Sequence, residues 1–274
     1  MKLKNAVTGI FLFAVCCLNM QAKQVDTISV HSPSMDMPVE NVIILPADYA
    51  REASFPVLYL LHGYAGNAKS WIRIHPGLPE LATRYGIIIV CPDGKNSWYW
   101  DSPVDGKMRY ETFVIRELIP YIDSHYKTIA DKAGRAVTGL SMGGHGGLWL
   151  GFRHADLFGA CGSTSGGVDI RPFPDNWEMS KALGQYGDNR TRWNEHTVIN
   201  QLDKIQSDAP AIIFDCGTDD FFYEVNETLH DKLLEKHIPH DYLSRPGAHN
   251  SVYWKNSIEY QLLFFYLFFH RASL

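Results

Sequence analysis

The 274-residue sequence lacks the features that would direct it to nucleic acid or to a metal ion. It has no run of basic residues, and 25 lysines and arginines against 30 acidic residues give a formal net charge of −5. This acidic balance argues against a nucleic-acid partner. No C-x-x-C pair follows the first 22 residues, and His237 and His240 have no third ligand nearby in the sequence. We interpret both histidines as surface residues and predict no metal and no cofactor.

The apolar runs in the sequence are short for a membrane-spanning helix. Two lysines in the first four positions precede apolar residues 6–20, and a small residue suited to cleavage follows. We therefore predict that residues 1–22 are a signal peptide and that residues 23–274 form one exported domain without a stable membrane span. A lipoprotein anchored through Cys16 or Cys17 is an alternative. Loss of residues 1–22 removes two lysines and changes the formal net charge from −5 to −7.

The most glycine-rich stretch of the chain, "GLSMGGHGG", lacks the lysine that a phosphate-binding loop requires after its glycines. It also lacks the acidic residue that completes a dinucleotide fingerprint at the end of a second strand. What it contains is Gly139-Leu140-Ser141-Met142-Gly143, a G-x-S-x-G match. This motif places a serine on a strained turn between strand and helix, where flanking side chains would collide with the backbone. We predict that Ser141 is a nucleophile, and the alternative is a glycine-rich turn without chemistry.

Strand-like and helix-like segments alternate along the chain, which indicates an α/β fold with a mostly parallel, doubly wound sheet and helices on both faces. The predicted strands, the first of them antiparallel and near an edge, are "VENVIILP", "FPVLYLLHG", "GIIIVCPDG", "RAVTG", "FGACGSTSG", "PAIIFDCG" and "HDYLSRPG". The predicted helices lie near residues 80–85, 110–126, 224–236 and 252–270. The last helix contains "LLFFYLFF", which is too short to span a bilayer and is interpreted as a core element.

The cysteine content is low beyond the N-terminal segment. Cys91, Cys161 and Cys216 each lie in or beside an apolar strand-like run, which predicts buried free thiols. One disulfide between two of these cysteines is the alternative, since three cysteines cannot all pair internally.

A serine nucleophile needs a base and a third group that orients the base. On a doubly wound sheet such groups collect beyond the carboxyl ends of the strands. Asp219 and Asp220 follow one late strand, and His249 follows the next, in the order serine, acid, histidine. We predict that His249 is the base and that one of the two aspartates orients it, while the other caps the following helix. His145 is expected to pack beside the nucleophile rather than react.

The loop "HGYAG" ends an earlier strand and is predicted to complete the site. Its backbone would supply the N–H of Tyr64 to an oxyanion hole, together with the N–H of Met142 after the nucleophile. Tryptophans near the predicted mouth of the site are candidate substrate-binding residues, although aromatic side chains more often pack in the core. These candidates are Trp71, Trp98, Trp100 and Trp177.

Taken in order, these segments resemble the esterase D-like branch of the α/β-hydrolases. That branch includes feruloyl and acetyl xylan esterases of carbohydrate esterase family one, tributyrin esterases, S-formylglutathione hydrolases and mycolyltransferases. The resemblance runs from about Val39 to Phe269 and includes "LLHGYAGNAKSW", "GLSMGGHGGL", "CGTDD" and "PGAHNSVYW". It implies an α/β-hydrolase fold, and the family's G-x-x-D pattern assigns the acid to Asp220. Ser251 stands where the family often carries a tryptophan, which leaves one wall of the acyl pocket unassigned.

The resemblance implies an exported serine carboxylesterase with a Ser-His-Asp acyl-enzyme mechanism. The expected substrates are acetyl or feruloyl esters on plant-type polysaccharide, or related small esters. The alternatives are acyl transfer of the mycolyltransferase type and carbohydrate binding on a hydrolase fold without activity. The missing "SG-x-T" loop and the export signal argue against a cytosolic S-formylglutathione hydrolase. The oligomeric state, and a lid role for the loop-rich insertion at residues 167–200, stay open.

Overall fold

The computed structural model describes residues 24–205 and 209–271, so the predicted signal peptide lies outside the described residues. The strands within these ranges are β1 (Val25–Ser32), β2 (Met37–Ile44), β3 (Val57–Leu61), β4 (Ile88–Pro92), β5 (Arg135–Gly139), β6 (Ala160–Thr164), β7 (Ala211–Gly217) and β8 (Asp241–Arg245). They form one sheet in the order β1-β2-β4-β3-β5-β6-β7-β8. The β1/β2 and β2/β4 pairs are antiparallel, and all other neighbours are parallel. The predicted mostly parallel sheet is confirmed.

Helices cover both faces of this sheet. They are α1 (Ser70–Ile74), α2 (Leu78–Tyr85), α3 (Tyr110–Thr112), α4 (Ile119–His125), α5 (Met142–Arg153), α6 (Met179–Leu183), α7 (Arg190–Glu195), α8 (Tyr223–Glu235) and α9 (Ser251–Phe269). Val57, Tyr59 and Leu61 of β3 pack into one apolar layer, and Leu58 and Leu60 pack into the other. A parallel strand that is buried on both faces needs such a continuous apolar sequence.

Two local features differ from the sequence prediction. β1 was not predicted, although the alternation of apolar and polar residues from Ile28 to His31 is typical of a half-buried strand. It pairs with β2 along its whole length and forms the sheet edge. The predicted helix at 110–126 contains a π-helical segment, Phe113–Leu118, between α3 and α4. Pro120 begins the next turn and has no N–H to donate to the carbonyl of Arg116, which favours the wider turn at this point.

The C-terminal helix α9 is a core element, as predicted. Ile258, Leu262 and Phe265 are buried in the apolar layer that also holds α1 and α2. Within the described ranges, no helix is both long enough and apolar enough to cross a membrane. The three cysteines of the sheet, Cys91, Cys161 and Cys216, are buried free thiols, which confirms that prediction.

Candidate active site

Ser141 lies on a strained turn between β5 and α5. Its backbone has φ 56° and ψ −117°, a conformation that a residue with a Cβ rarely adopts. A Cβ at Gly139 would lie 2.5 Å from the carbonyl oxygen of Leu61, and one at Gly143 would lie 2.4 Å from the same atom. The glycines around Ser141 are therefore required by the close approach of β3, as the motif predicted.

Hydrogen bonds from two directions hold this turn in place. The N–H of Ser141 donates to the carbonyl of Thr164 at the end of β6, at 2.9 Å. The N–H of His145 donates to the carbonyl of Ser141, also at 2.9 Å, and starts the hydrogen-bond ladder of α5. These contacts fix the strained backbone, so that the side chain of Ser141 reaches the pocket described below.

The structure brings Ser141, His249 and Asp220 together. His249 Nε2 lies 2.9 Å from Ser141 Oγ, and His249 Nδ1 lies 2.8 Å from Asp220 Oδ2. The carboxylate can only accept, so Nδ1 carries the proton and Nε2 is left to accept from the serine hydroxyl. The side chain of Asp220 is fully buried, whereas that of His249 is 15% exposed. The arrangement can therefore take a proton from Ser141 Oγ.

The loops after β7 and β8 bond to each other, and this contact places Asp220 beside His249. The N–H of Asp219 donates to the carbonyl of Gly247 at 2.9 Å. The two loops approach so closely that a Cβ at Gly217 would lie 2.2 Å from the Gly247 oxygen. On the other side of His249, the Asn250 side chain accepts from two N–H groups of α9 and caps that helix.

The two neighbouring aspartates have different surroundings. Asp220 is 5% exposed, and its Oδ1 accepts from the N–H of Phe222 at 2.9 Å as well as facing His249. Asp219 is exposed to solvent. The expectation that the second aspartate caps the following helix is wrong, because the N-cap position of α8 is Phe222 and no side chain caps it.

The loop after β3 runs alongside the nucleophile. A Cβ added at Gly63 would lie 3.4 Å from Ser141 Cβ. The carbonyl of Gly63 faces His62 Nδ1 at 2.7 Å and accepts from the N–H of Gly66 at 3.0 Å. Because carbonyl and N–H point in opposite directions across a trans peptide, these bonds hold the N–H of Tyr64 in a fixed orientation. Met142 is the first residue of α5, so its N–H has no intrahelical acceptor.

A pocket of about 410 Å³ opens above Ser141 and His249. Its walls also include Trp177, Phe221 and Trp254. The ring of Phe221 lies 4.2 Å from that of His249, and the ring of Trp254 meets His249 edge-on at 5.0 Å. Trp254 lies one turn into α9, so an aromatic wall is present although Ser251 replaces the tryptophan that the family often carries. The remaining lining residues are Gly63, Tyr64, Ala65, Gly66, Ser70, Arg73, Ile74 and Leu140.

Of the four tryptophans proposed to contact substrate, Trp177 alone lines this pocket. The prediction that the other three bind substrate is corrected by their burial. Trp71, Trp98 and Trp100 are each 1% exposed or less. The indole N–H of Trp71 donates to the Leu61 carbonyl at 2.8 Å, so this side chain supports the sheet instead. Trp177 comes from the insertion at 167–200, has φ 49°, and stacks on Phe221 at 5.7 Å.

His145 packs beneath the site, as expected. Trp100 donates its indole N–H to His145 Nε2 at 2.8 Å, so Nδ1 carries the ring proton and donates to the Gly167 carbonyl at 2.9 Å. Burial lowers the pKa of His145 to about 3, which keeps the ring neutral. Arg73 and Phe221 belong to no motif and were not predicted, and Trp254 was not predicted although it ends the segment "PGAHNSVYW" that carries the family resemblance.

A second carboxylate–histidine pair lies beside a different and larger cavity of about 590 Å³. Glu111 accepts from Trp149, Arg153 and His154 at 2.9, 2.9 and 2.8 Å. Burial raises the pKa of Glu111, but these bonds outweigh it and lower the pKa to about 2. Residues 24–205 and 209–271 contain no group of three or more histidine, cysteine or acidic side chains that could hold a metal ion.

Comparisons with known proteins show the family of the chain. The family described as "Putative esterase" matches residues 32–265. The chain belongs to this esterase family. An esterase of Mycobacterium tuberculosis is 31% identical over 76% of this chain and 51% of its own length, so the chain spans about half of that relative. An acetyl esterase of Caldicellulosiruptor saccharolyticus is 29% identical over 73% of this chain and 79% of that protein.

A solved structure confirms the predicted α/β-hydrolase fold. A ferulic acid esterase superimposes with a TM-score of 0.78 and 27% identity, covering 89% of this chain and 98% of that one. The expected resemblance to the esterase branch of the α/β-hydrolases is thereby confirmed at the level of both sequence and fold.

Proposed function

We propose that this esterase-family chain is a serine carboxylic ester hydrolase in which Ser141 is the nucleophile, His249 the base and Asp220 the orienting acid. The observation that carries the proposal is the pair of hydrogen bonds at His249, whose Nε2 accepts from Ser141 Oγ and whose Nδ1 donates to the buried Asp220 carboxylate. The strained conformation of Ser141 supports it, because such strain persists where the surrounding structure holds a functional group in place.

In the proposed reaction, Ser141 Oγ attacks the ester carbonyl while its proton moves to His249 Nε2. The imidazolium is stabilised by Asp220, whose carboxylate accepts the Nδ1–H. Collapse of the tetrahedral intermediate transfers that proton to the leaving alcohol and leaves an acyl-enzyme on Ser141. Water then repeats the sequence with the same base and releases the acid. The N–H groups of Tyr64 and Met142 stabilise the oxyanion. Each such donor increases the rate by a factor on the order of 10²–10³.

We propose acetyl or feruloyl esters, on plant-type polysaccharide or on small alcohols, as the substrate class. The acetyl esterase and ferulic acid esterase among the relatives support this assignment. The aromatic walls formed by Trp177, Phe221 and Trp254 supply flat apolar surfaces suited to a phenolic acyl group or to a sugar face. Export remains part of the proposal on the strength of the pattern in residues 1–22.

Hydrolysis of p-nitrophenyl acetate and methyl ferulate by the purified protein, beside Ser141→Ala, tests the proposal. We expect turnover of at least one ester by the wild type and loss of that turnover in the variant. The ratio of the two rates separates acetyl from feruloyl preference. Equal turnover by the wild type and Ser141→Ala would rule out a mechanism based on this serine.

A further inference from the structure

We propose that the Ser141 pocket takes esters that carry a carboxylate group, and that Arg73 binds this carboxylate. The inference rests on the proposed ester hydrolysis and deepens it. It assigns a chemical class to a part of the substrate that the serine, histidine and aspartate do not touch.

The first observation is the distribution of charge around the pocket. No aspartate or glutamate is among the described residues that line it, and Arg73 is its one permanently charged side chain. Asp220 is buried behind His249 and already accepts from it. The wall of the space in which an ester must sit therefore includes one full positive charge, on the solvent-exposed Arg73 side chain, in a protein whose formal net charge is −5.

The second observation is that Arg73 has only neutral partners. Its Nη2 donates to Asn67 Oδ1 at 3.1 Å and to Ser70 Oγ at 3.0 Å. No ion pair joins it to an acid in the described part of the chain. Four other arginines do pair with carboxylates at 2.6–2.9 Å, namely Arg109, Arg135, Arg153 and Arg171.

Acids that contact sequence neighbours of Arg73 pair with Lys69 and His75. Glu40 lies 3.3 Å from Lys69, and Glu259 lies 3.1 Å from His75. The remaining N–H groups of the Arg73 guanidinium, on Nε and Nη1, are thus left for a ligand in the pocket. Such a planar set of donors matches the two oxygens of a carboxylate.

The segment that carries Arg73 is fixed rather than loose. The N–H of Asn67 donates to Ser70 Oγ at 2.9 Å, so both acceptors of the guanidinium are tied to each other. A Cβ at Gly66 would lie 2.8 Å from Ser70 Oγ, which shows how closely this turn is packed. A donor held in this way loses little freedom on binding, which favours a specific contact.

Two matched pairs of esters test the proposal. 4-Acetoxybenzoate carries a carboxylate on its leaving alcohol, and its methyl ester lacks that charge. Mono-4-nitrophenyl succinate and its methyl ester differ in the same way on the acyl side. We expect Arg73→Gln to lower the charged-to-neutral ratio of kcat/KM about tenfold for one of the pairs, and that pair locates the carboxylate. Arg73→Lys should give an intermediate ratio.

Arg84→Gln is the matched control, because Arg84 is exposed at the end of α2 and does not line the pocket. It should leave both ratios unchanged. Sodium chloride at about 0.5 M should lower the ratio for the wild type but not for Arg73→Gln. In a Ser141→Ala background, calorimetry should show that Arg73→Gln weakens binding of the charged ester of the responding pair about tenfold.

An unchanged ratio for both pairs, together with unchanged binding, would overturn the assignment of Arg73 while leaving ester hydrolysis in place. Failure of the wild type to hydrolyse any of the four esters would instead overturn the proposed function, and this inference with it.

Discussion

Two carboxylate–histidine pairs in this molecule have the same short contact and different surroundings. Asp220 meets His249 at 2.8 Å, and Glu111 meets His154 at 2.8 Å. At the first pair the other ring nitrogen faces Ser141 Oγ at 2.9 Å. The cavity beside the second pair is lined by one hydroxyl, that of Thr112. This hydroxyl donates to Asp101 at 2.5 Å.

The difference shows that a carboxylate beside a histidine does not by itself make an active site. Glu111 is saturated by donors from Trp149, Arg153 and His154, so it joins the helix that begins at Tyr110 to the end of α5. Beside the Asp220–His249 pair lie the hydroxyl of Ser141, on its strained turn, and the loop after β3 that contains Gly63. We therefore expect activity to depend on the first pair and stability to depend on the second.

The largest expected effect is that of Ser141→Ala. Loss of the nucleophile should lower kcat for p-nitrophenyl acetate by roughly 10⁴- to 10⁶-fold, since serine and histidine act as one unit. Steady-state assays with active-site titration measure this. Ser124→Ala removes an exposed hydroxyl that does not line the pocket and serves as the control. Residual activity above one per cent of wild type would contradict the role of Ser141.

Replacing the aspartates separately should distinguish them. Asp220→Asn keeps the size of the side chain but favours the wrong tautomer of His249, and we expect a loss of about 10⁴-fold in kcat. Asp219→Asn should stay within twofold of wild type, because Asp219 is exposed. A larger loss from Asp219→Asn than from Asp220→Asn would reverse the assignment of the acid.

The aromatic wall over His249 should matter less than the reacting groups. Phe221 is 52% exposed and stacks on Trp177. We expect Phe221→Ala to lower kcat/KM for methyl ferulate about three- to tenfold relative to p-nitrophenyl acetate, through loss of ring contact. Leu234→Ala removes an equally exposed apolar side chain on α8 and should leave the ratio of the two substrates unchanged.

The second pair should affect stability with little effect on activity. Glu111→Gln should lower the free energy of unfolding by about 2 kcal/mol, because Arg153 and His154 lose their charged acceptor, while kcat/KM stays within twofold. Denaturant titration measures the loss.

The pH dependence gives a further check on the same variant. The pKa of Glu111 is lowered from 4.5 to about 2 in the folded state. Its contribution to stability is therefore fully present above a pH of about 4.5 and is lost as the pH falls toward about 2. The difference between wild type and Glu111→Gln should shrink over this range, and a difference that grows on acidification would contradict the account.

The sequence predicted the mostly parallel sheet with helices on both faces, because parallel strands buried on both faces must be continuously apolar. It also predicted that Ser141 and His249 follow strand ends, and parallel strands bring their carboxyl ends to one edge of the sheet. The choice between Asp219 and Asp220 came from family spacing, since residue type alone is identical at the two positions.

Features that depend on tertiary packing were less accessible. Trp71, Trp98 and Trp100 could not be separated from Trp177, because an aromatic residue carries no local signal for which side of it faces a cavity. Arg73 belongs to no motif, and its lack of an acidic partner is visible only in three dimensions. The edge strand β1 is a different case, because the alternation of apolar and polar residues from Ile28 to His31 was visible in the sequence.

Covalent labelling with diisopropyl fluorophosphate, mapped by peptide mass spectrometry, tests the central claim most directly. The reagent reports a serine that a neighbouring base has activated, and it needs no knowledge of the natural ester. We expect one phosphoryl adduct on Ser141 in the wild type, and labelling that is strongly slowed in His249→Ala. An adduct on a different residue, or labelling of Ser141 at the same rate without His249, would contradict the account.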